Sequence, residues 1–343
     1  MLNHSEVSEF ILLGLTDIQG LQYFFFISFL LLYLTSLLGN GVIVTMVISE
    51  PQLHTPMYFF LGNLSCLDIF YSTVTVPKML TGFLFGHQPI SLAGCLAQLY
   101  FFHFLGSTEA VLLATMAYDR YVAICNPLCY TLVMSPRTCL LLAVASWSIG
   151  FVHAMMHSIM TSQLSFCGHN QIHHFFCDIK PLLNLACSST SLNMILLNVV
   201  TTSIALGPFI LIVLSYLYII SFLFQKVQSQ EGRWKPFSTC ASHLTVVALM
   251  YIPLFFNYTP PSSSSSSIMD MQVSVMYSAI TPALNPLIYT LRNQEVRSAL
   301  NKILGRKLSW WKVTKTGTRL RMWLLHHSYL QEKRSKGCCI TRD

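Results

Sequence analysis

Long apolar stretches separated by short polar ones run through most of the chain. A helix that spans a membrane needs about 20 predominantly apolar residues. Uncharged runs such as Ile18–Ser49 and Pro181–Gln225 are longer than that, so several of them hold a helix together with its connecting loop. The pattern predicts seven spanning helices, at residues 23–48, 57–80, 95–120, 139–160, 194–225, 237–258 and 271–291.

The composition is that of a membrane protein. Of the 343 residues, 53% are hydrophobic and 10% are charged, whereas soluble domains have roughly 25% charged residues. The net charge of +7 comes mainly from a basic tail, residues 308–343. Because no basic face is interleaved with aromatic residues, we expect no nucleic-acid partner and a tail that meets membrane lipid.

The placement of lysine and arginine predicts the orientation. With the N-terminus outside, only Lys78 and Lys180 of the twenty basic residues lie on the outer side. The predicted fold is an all-α membrane protein, a seven-transmembrane helix bundle with an extracellular N-terminus and a short amphipathic eighth helix. Its parts are an extracellular segment 1–22, the seven-transmembrane bundle 23–291, the membrane-surface helix 292–307 and a cytoplasmic tail 308–343 without an assigned function. Asn3 begins a glycosylation sequon on the predicted outside.

Four polar residues interrupt the apolar helices at a similar depth. Asp68 lies eleven residues past the inner start of its helix, and Glu109 lies eleven residues before Arg120, so both are roughly 16 Å deep at 1.5 Å per residue. Asn40 and Asn285 are expected in the same layer. Two carboxylates in one buried site do not both stay ionised without a cation or a donor nearby. The layer is either a polar network that changes between two states, with or without Na⁺, or a packing network. A proton pathway would need further acids or histidines along the other helices.

Above this layer, the third helix presents a group of residues suited to a ligand cavity. Phe102, Leu105 and Gly106 share one face by the 3.6-residue period, and His103 and Ser107 flank it. Each residue alone is an ordinary helix contact. Together they predict a small, mostly apolar cavity open to the outside, in which Gly106 leaves room. No acid or base is expected to face it, so its ligand should be small and largely neutral.

Four cysteines fall on the predicted outer side, where disulfides are favoured. They are Cys95, Cys167, Cys177 and Cys187. Four cysteines allow three pairings, and spacing does not choose among them. Three histidines near Cys177 imitate a metal cluster, but that cysteine is expected to be disulfide-bonded, so no metal site is predicted.

The inner end of the third helix carries the chain's most informative charges, Asp119 and Arg120. Alone, this pair is explained by a positive-inside anchor. With its neighbours it resembles the vertebrate odorant receptors of the rhodopsin-like G-protein-coupled family. The motifs recur in order over nearly all of residues 1–305: Pro56-Met57-Tyr58-Phe59-Phe60-Leu61, Met-Ala-Tyr-Asp-Arg-Tyr-Val-Ala-Ile-Cys at 116–125, Ser215-Tyr216, Lys235 with Phe237-Ser238-Thr239-Cys240-Ala241-Ser242-His243-Leu244, and residues 282–293.

The resemblance implies a receptor rather than an enzyme. It implies an odorant bound between helices 3, 5, 6 and 7, and a stimulatory, olfactory-type G protein that raises cAMP at the plasma membrane of sensory cilia. It also implies the disulfides Cys95–Cys177 and Cys167–Cys187. The implied ligand residues are Phe102, His103, Gly106, Ser107, Thr201, Ile204, Tyr251, Leu254, Phe255, Tyr258 and Ser278. The implied activation residues are Asp119, Arg120, Tyr121, Tyr216, Asn285, Pro286 and Tyr289. The family's inner polar site matches Asp68 and Glu109.

Three features depart from the family pattern. Pro236 stands at the start of the sixth helix, Ile252 follows Tyr251 where many members have glycine, and the tail 308–343 is unusually long. The rival function is a small-solute transporter or channel. That class calls for internal repeats or a continuous polar lane through the membrane, and the sequence has neither.

Overall fold

The computed structural model describes residues 8–16, 18–167, 169–227, 229–258, 266–292 and 296–302. The predicted glycosylation site Asn3 and the tail 308–343 lie outside these residues. The chain divides into two units, Met1–Asn293 and Gln294–Asp343. In the second unit, residues 296–302 are helical; that they lie on a membrane surface stays a prediction.

Seven long helices follow one another in the described part of the first unit, and each contains one predicted span. Five of them, α1 to α5, are long and apolar enough to cross a membrane, and α6 has a shorter apolar stretch, Cys240–Phe255. The prediction of a mainly helical, multi-pass chain is therefore confirmed, while the orientation of the N-terminus stays a prediction. The helices are α1 (Gln19–Ser49), α2 (Pro56–Phe85), α3 (Leu92–Cys125), α4 (Pro136–Ser162), α5 (Ser191–Lys226), α6 (Gln230–Tyr258) and α7, made of Ser266–Val275, Met276–Ile280 and Thr281–Arg292.

Side chains are distributed as expected for a bundle in lipid. Large apolar residues such as Leu38 and Val152 are exposed on the helix surfaces, whereas Ser36, Ser65 and Ser72 are buried between helices. Lipid solvates the apolar faces, so the polar side chains find partners inside. One such pair joins α1 to α2, where the hydroxyls of Ser36 and Ser72 are 3.1 Å apart.

Two of the helices contain a π-helical segment. In α5 it covers Leu197–Thr201, and in α7 it covers Met276–Ile280. Such segments add a residue to a helical turn and are frequent at functional sites. Both segments contain a residue of the implied ligand set, Thr201 and Ser278.

The all-α prediction is wrong at one end of the bundle, where three short strands form a sheet. Strand β1 (Glu9–Leu12) lies between β2 (Gln88–Ser91), which is antiparallel to it, and β3 (Gln171–Ile172), which is parallel. These segments are far apart in sequence, so no hairpin signal marks them. Phe10 of β1 is fully buried and packs edge-on against Phe166 at 5.2 Å.

The same end carries both disulfides, and we call it the disulfide end. Cys95 at the start of α3 is bonded to Cys177, and Cys167 to Cys187; these are the pairs that the resemblance implies. The backbone N–H of Cys177 also donates to the side chain of Gln98 on α3 at 3.0 Å. The loop between α4 and α5 is thus fixed onto α3. The opposite end is called the Arg120 end.

Candidate functional site

Helix α3 carries residues of every part of the candidate site, and its approach to α4 depends on Gly150. A Cβ atom at Gly150 would collide with the Thr108 side chain and the Phe104 carbonyl of α3. Glycine therefore allows the two helices to touch through their backbones. One turn further along α4, this contact places His153 beside Ser107.

A buried ion pair lies at the Arg120 end of α3. Nη2 of Arg120 is 3.4 Å from Oδ2 of Asp119, whose side chain is fully buried. The other carboxylate oxygen accepts a 2.8 Å hydrogen bond from the hydroxyl of Tyr130, in the short helix that follows α3. Burial and the adjacent Asp119 carboxylate raise the pKa of Tyr130, so the phenol keeps its proton and donates it. No sequence signal marked Tyr130 for this role.

Three other helices approach Arg120. Tyr216 of α5 and Tyr289 of α7 are buried, and both are close enough to interact electrostatically with the guanidinium. The Tyr216 hydroxyl shares a 2.8 Å hydrogen bond with Nδ1 of His243 on α6, a residue without an assigned role in the sequence analysis. Tyr121 faces elsewhere, with its ring 5.9 Å from a tyrosine ring of α5.

All four residues of the predicted inner polar layer are buried. Nδ2 of Asn285 donates to both carboxylate oxygens of Asp68, at 3.2 and 3.0 Å. Glu109 interacts electrostatically with Asp68. Within the part of the chain that the structure describes, Oε1 of Glu109 has no hydrogen-bond partner.

Asn40, the fourth member of the layer, bonds to helix backbones rather than to the carboxylates. Its Nδ2 donates to the carbonyl of Pro282 at 2.9 Å and to that of Ser36 at 3.0 Å. Pro286 has no N–H, so it leaves the carbonyl four residues earlier, that of Pro282, without its helical donor. Asn40 replaces that donor, and Gly39 beside it makes room for the Pro286 ring, since a Cβ there would lie 2.7 Å from the ring.

Higher on α3, aromatic rings occupy the space where the sequence predicts a cavity. The Phe102 ring lies 4.5 Å from Phe176 of the α4–α5 loop and 5.2 Å from Tyr71 of α2. A Cβ atom at Gly106 would meet that same tyrosine at 3.5 Å. The room left by Gly106 is therefore bordered by Tyr71, a residue without a role in the sequence-based site.

Two other residues of the implied ligand set, Ser107 and Thr201, bond to histidines of α4. Oγ of Ser107 is 2.7 Å from Nδ1 of His153. Oγ1 of Thr201, in the π-helical segment of α5, is 3.1 Å from Nε2 of His153 and 3.0 Å from Nε2 of His157. The site predicted from the sequence did not include α4. The available signal was the spacing of His153 and His157, because two histidines four residues apart on an apolar helix share one face.

His103 links this cluster to the loop above it. Its Nδ1 is 3.0 Å from the Leu99 carbonyl, and its Nε2 is 3.8 Å from Oδ1 of Asp178. Its ring also lies 5.6 Å from that of His157. The expectation that no acid approaches the upper cavity is therefore wrong. Asp178 reaches it from the loop.

Two of the implied ligand residues of α6 face α5. Tyr251 and Phe255 contact the ring of Phe209 at 4.8 and 5.1 Å. They also line an apolar groove of about 380 Å³ between α5 and α6. Ser278 is fully buried on α7, and Ile204 and Leu254 are half-buried. The side chain of Tyr258 lies outside the described residues.

The α4–α5 loop holds a buried histidine next to the site. His174 accepts a hydrogen bond at Nδ1 from the backbone N–H of Phe176 at 3.3 Å, and its ring stacks on Phe175. Burial lowers the pKa of His174 to about 4, although the nearby Asp178 acts in the opposite direction. His174 is therefore neutral at physiological pH. Among the described residues, no group of three or more His, Cys, Asp or Glu side chains is placed to hold a metal ion.

The fold and the charged end of α3 define the class, a seven-helix membrane receptor coupled to G proteins. Residues 29–307 match the olfactory receptor family, and the chain belongs to that family. It is 58% identical to human olfactory receptor 12D1 over 90% of this chain and 96% of that protein, and 59% identical to human olfactory receptor 12D3 over 90% and 98%. Mouse olfactory receptor 5B21 is 48% identical over 89% and 96%.

Membership settles the broad function. Olfactory receptors are receptors and not enzymes, so the prediction that this chain is no enzyme is confirmed. The family also makes a transporter or channel the weaker alternative. The family match ends at residue 307, so the tail 308–343 lies beyond it.

Proposed function

We propose that this receptor binds a small, volatile, mostly apolar odorant among α3, α5, α6 and α7 and activates a stimulatory, olfactory-type G protein that raises cAMP. The observation that carries the proposal is the continuity of α3. One end holds His103 and Ser107 beneath the α4–α5 loop, and the other holds the Asp119–Arg120 pair, with α5, α6 and α7 around it. A ligand-induced shift at the first end can thus reach the second through one rigid helix.

Two-state switching explains how such a shift becomes a signal. A ligand changes a population only by the difference between its affinities for the two states. In the arrangement seen here, Arg120 is paired with Asp119, and we assign this arrangement to the resting state. Outward movement of α6, together with release of Arg120 toward Tyr216 and Tyr289, would open the surface that a G protein meets.

The inner polar layer is the proposed site of a Na⁺ ion. Sodium prefers oxygen ligands, and the oxygens of Asp68 and Glu109 fit it, since both carboxylates are buried and one oxygen of Glu109 has no partner among the described residues. When bound, the ion would neutralise one of the two negative charges. The Asp68–Asn285 hydrogen bonds themselves join α2 to α7.

We further propose that the N-terminus faces the outside and that the protein lies in the plasma membrane of olfactory cilia, in contact with lipid. The basic residues of the described helices support this orientation, because Arg120, Arg137 and Lys226 lie at the ends of α3, α4 and α5 that are opposite the disulfide end. The disulfides at the other end support it too, because disulfides persist in oxidising compartments.

The test is a cAMP assay in cells that express the receptor with an olfactory-type G protein. Some members of a diverse odorant panel should raise cAMP in a dose-dependent way. Arg120→Ala should abolish the response at normal surface density. Arg137→Ala, at an exposed arginine at the start of α4, is the matched control and should respond normally. Full responses from Arg120→Ala would refute the coupling scheme, and flux of labelled solute without cAMP would favour a transporter or channel.

A further inference from the structure

His153, His157 and Thr201 form a cluster that is more specific than a simple helix contact. The two histidine Nε2 atoms are 3.1 Å apart, and each is also 3.0 to 3.1 Å from Oγ1 of Thr201. Three polar atoms thus form a nearly equilateral triangle where α4 meets α5. Both histidines are buried, so bulk water does not solvate these atoms.

The protons available do not satisfy all three sides of this triangle. A neutral imidazole has one N–H, and a threonine hydroxyl has one O–H. If both Nε2 atoms carry protons, the contact between the two histidines joins two donors and is not a hydrogen bond. If only one Nε2 is protonated, two protons, one on that nitrogen and one on the Thr201 hydroxyl, are available for three contacts. At most two of the three contacts are ordinary hydrogen bonds at any time, so the cluster keeps unused hydrogen-bonding capacity in a buried place.

Its position connects this capacity to the proposed odorant site. Ser107 and Thr201 already belong to the implied ligand set, and His103 of that set lies with its ring 5.6 Å from His157 and 6.1 Å from His153. Thr201 is the last residue of the π-helical segment Leu197–Thr201 and faces α4. The cluster therefore contains or adjoins three residues of the implied ligand set, Ser107, Thr201 and His103.

We propose, on the basis of the function proposed above, that this cluster selects odorants with a neutral oxygen group, an alcohol, aldehyde or ketone. An alcohol can donate to an unprotonated Nε2, and a carbonyl can accept from a protonated one or from the Thr201 hydroxyl. Exchange of tautomers between the two imidazoles lets the same cluster serve both. A hydrocarbon of equal size cannot use this capacity, and sites built to hydrogen-bond a ligand strongly reject analogues without the polar group. His153 and His157 thereby extend the ligand site to α4.

The experiment compares matched sets of odorants on the full-length receptor. Each set consists of one hydrocarbon skeleton with its alcohol, aldehyde and ketone forms, and cAMP potency is measured for each compound. In the wild type, oxygenated members should be about tenfold or more potent than their hydrocarbon, the effect of one to two hydrogen bonds. Thr201→Val, which keeps the side-chain shape, and His157→Phe should reduce this ratio about tenfold.

Thr161→Val is the matched control, since Thr161 is a buried threonine of α4 whose hydroxyl has no partner among the described residues. It should keep the wild-type ratio. A purely structural cluster would lower surface density or maximal response for all compounds equally and leave the ratio unchanged. If His157→Phe does not reach the cell surface, the potency ratio of Thr201→Val tests the proposal by itself.

The outcomes separate the two proposals. A wild type that ignores the whole panel counts against the proposed function. A responsive wild type without a preference for oxygenated members overturns the present inference, as do surface-expressed variants that keep the wild-type ratio.

Discussion

Removing the hydroxyl of Tyr130 should raise the basal activity of the receptor. Tyr130→Phe keeps the ring and deletes the 2.8 Å hydrogen bond to the buried Asp119 carboxylate. Hydrogen bonds to charged groups contribute about 1.5–3 kcal/mol. Because Tyr130 is only half-buried, water can partly replace the donor, and the lower end of that range applies.

A loss of about 1.5 kcal/mol changes an equilibrium constant by about tenfold. If the bond exists only in the resting state, an active population of about 1% would rise to about 10%, within the range expected of minor states. The assay is ligand-free cAMP, normalised to surface density. Tyr118→Phe, at an exposed tyrosine of α3, is the matched control and should keep the wild-type basal level. An unchanged basal level in Tyr130→Phe would show that this bond is not specific to the resting state.

Three more predictions follow from the same structure. Gly39→Ala should place a methyl group against the Pro286 ring and lower stability by about 1–3 kcal/mol, which would be measured as a lower melting temperature in detergent. Gly41→Ala is the control, because its added Cβ meets no atom within 4 Å, and it should keep the wild-type melting temperature. Equal losses of stability in the two variants would contradict the packing argument. His174 has a pKa of about 4 when folded and about 6.5 when unfolded, so its contribution to the free energy of unfolding is complete above pH 6.5 and should decline by about 2 kcal/mol as the pH falls to about 5. His174→Phe should remove this part of the pH dependence of the melting temperature. A variant with the same pH dependence as the wild type would refute the prediction. Glu109→Gln should change the balance between states and weaken any effect of Na⁺ on agonist potency; unchanged basal and agonist-driven cAMP at all salt levels would return the polar layer to a packing role.

The positions of Asp68 and Glu109 along their helices could be predicted because they follow from counting along regular helices. Asp68 and Glu109 are each eleven residues from an identifiable reference position near a helix end, and the fixed rise per residue converts that number into a distance along the helix. The partner of Asn40 could not be found this way. It depends on the carbonyl that Pro286 leaves free on another helix, and so on how α1 packs against α7.

The upper site was harder for a related reason. Periodicity showed which residues of α3 share a face, but not that Tyr71 would fill the space at Gly106. The spacing of His153 and His157 was visible in the sequence, yet their meeting with Thr201 depends on the π-helical segment of α5 and on the close approach at Gly150. The strands were invisible because each is short and pairs with a distant segment.

The middle position of β1 in its sheet has a consequence for biosynthesis. Glu9 and Asn170 are joined by a hydrogen bond although they are 161 residues apart, so the ribosome makes β1 long before its parallel partner exists. Until four helices have been made, Phe10 and the β3-facing edge of β1 remain uncovered, and such surfaces favour aggregation and chaperone binding. The closing of this sheet therefore waits for the α4–α5 loop. Poor delivery to the cell surface should follow from anything that delays synthesis or folding of the α4–α5 loop.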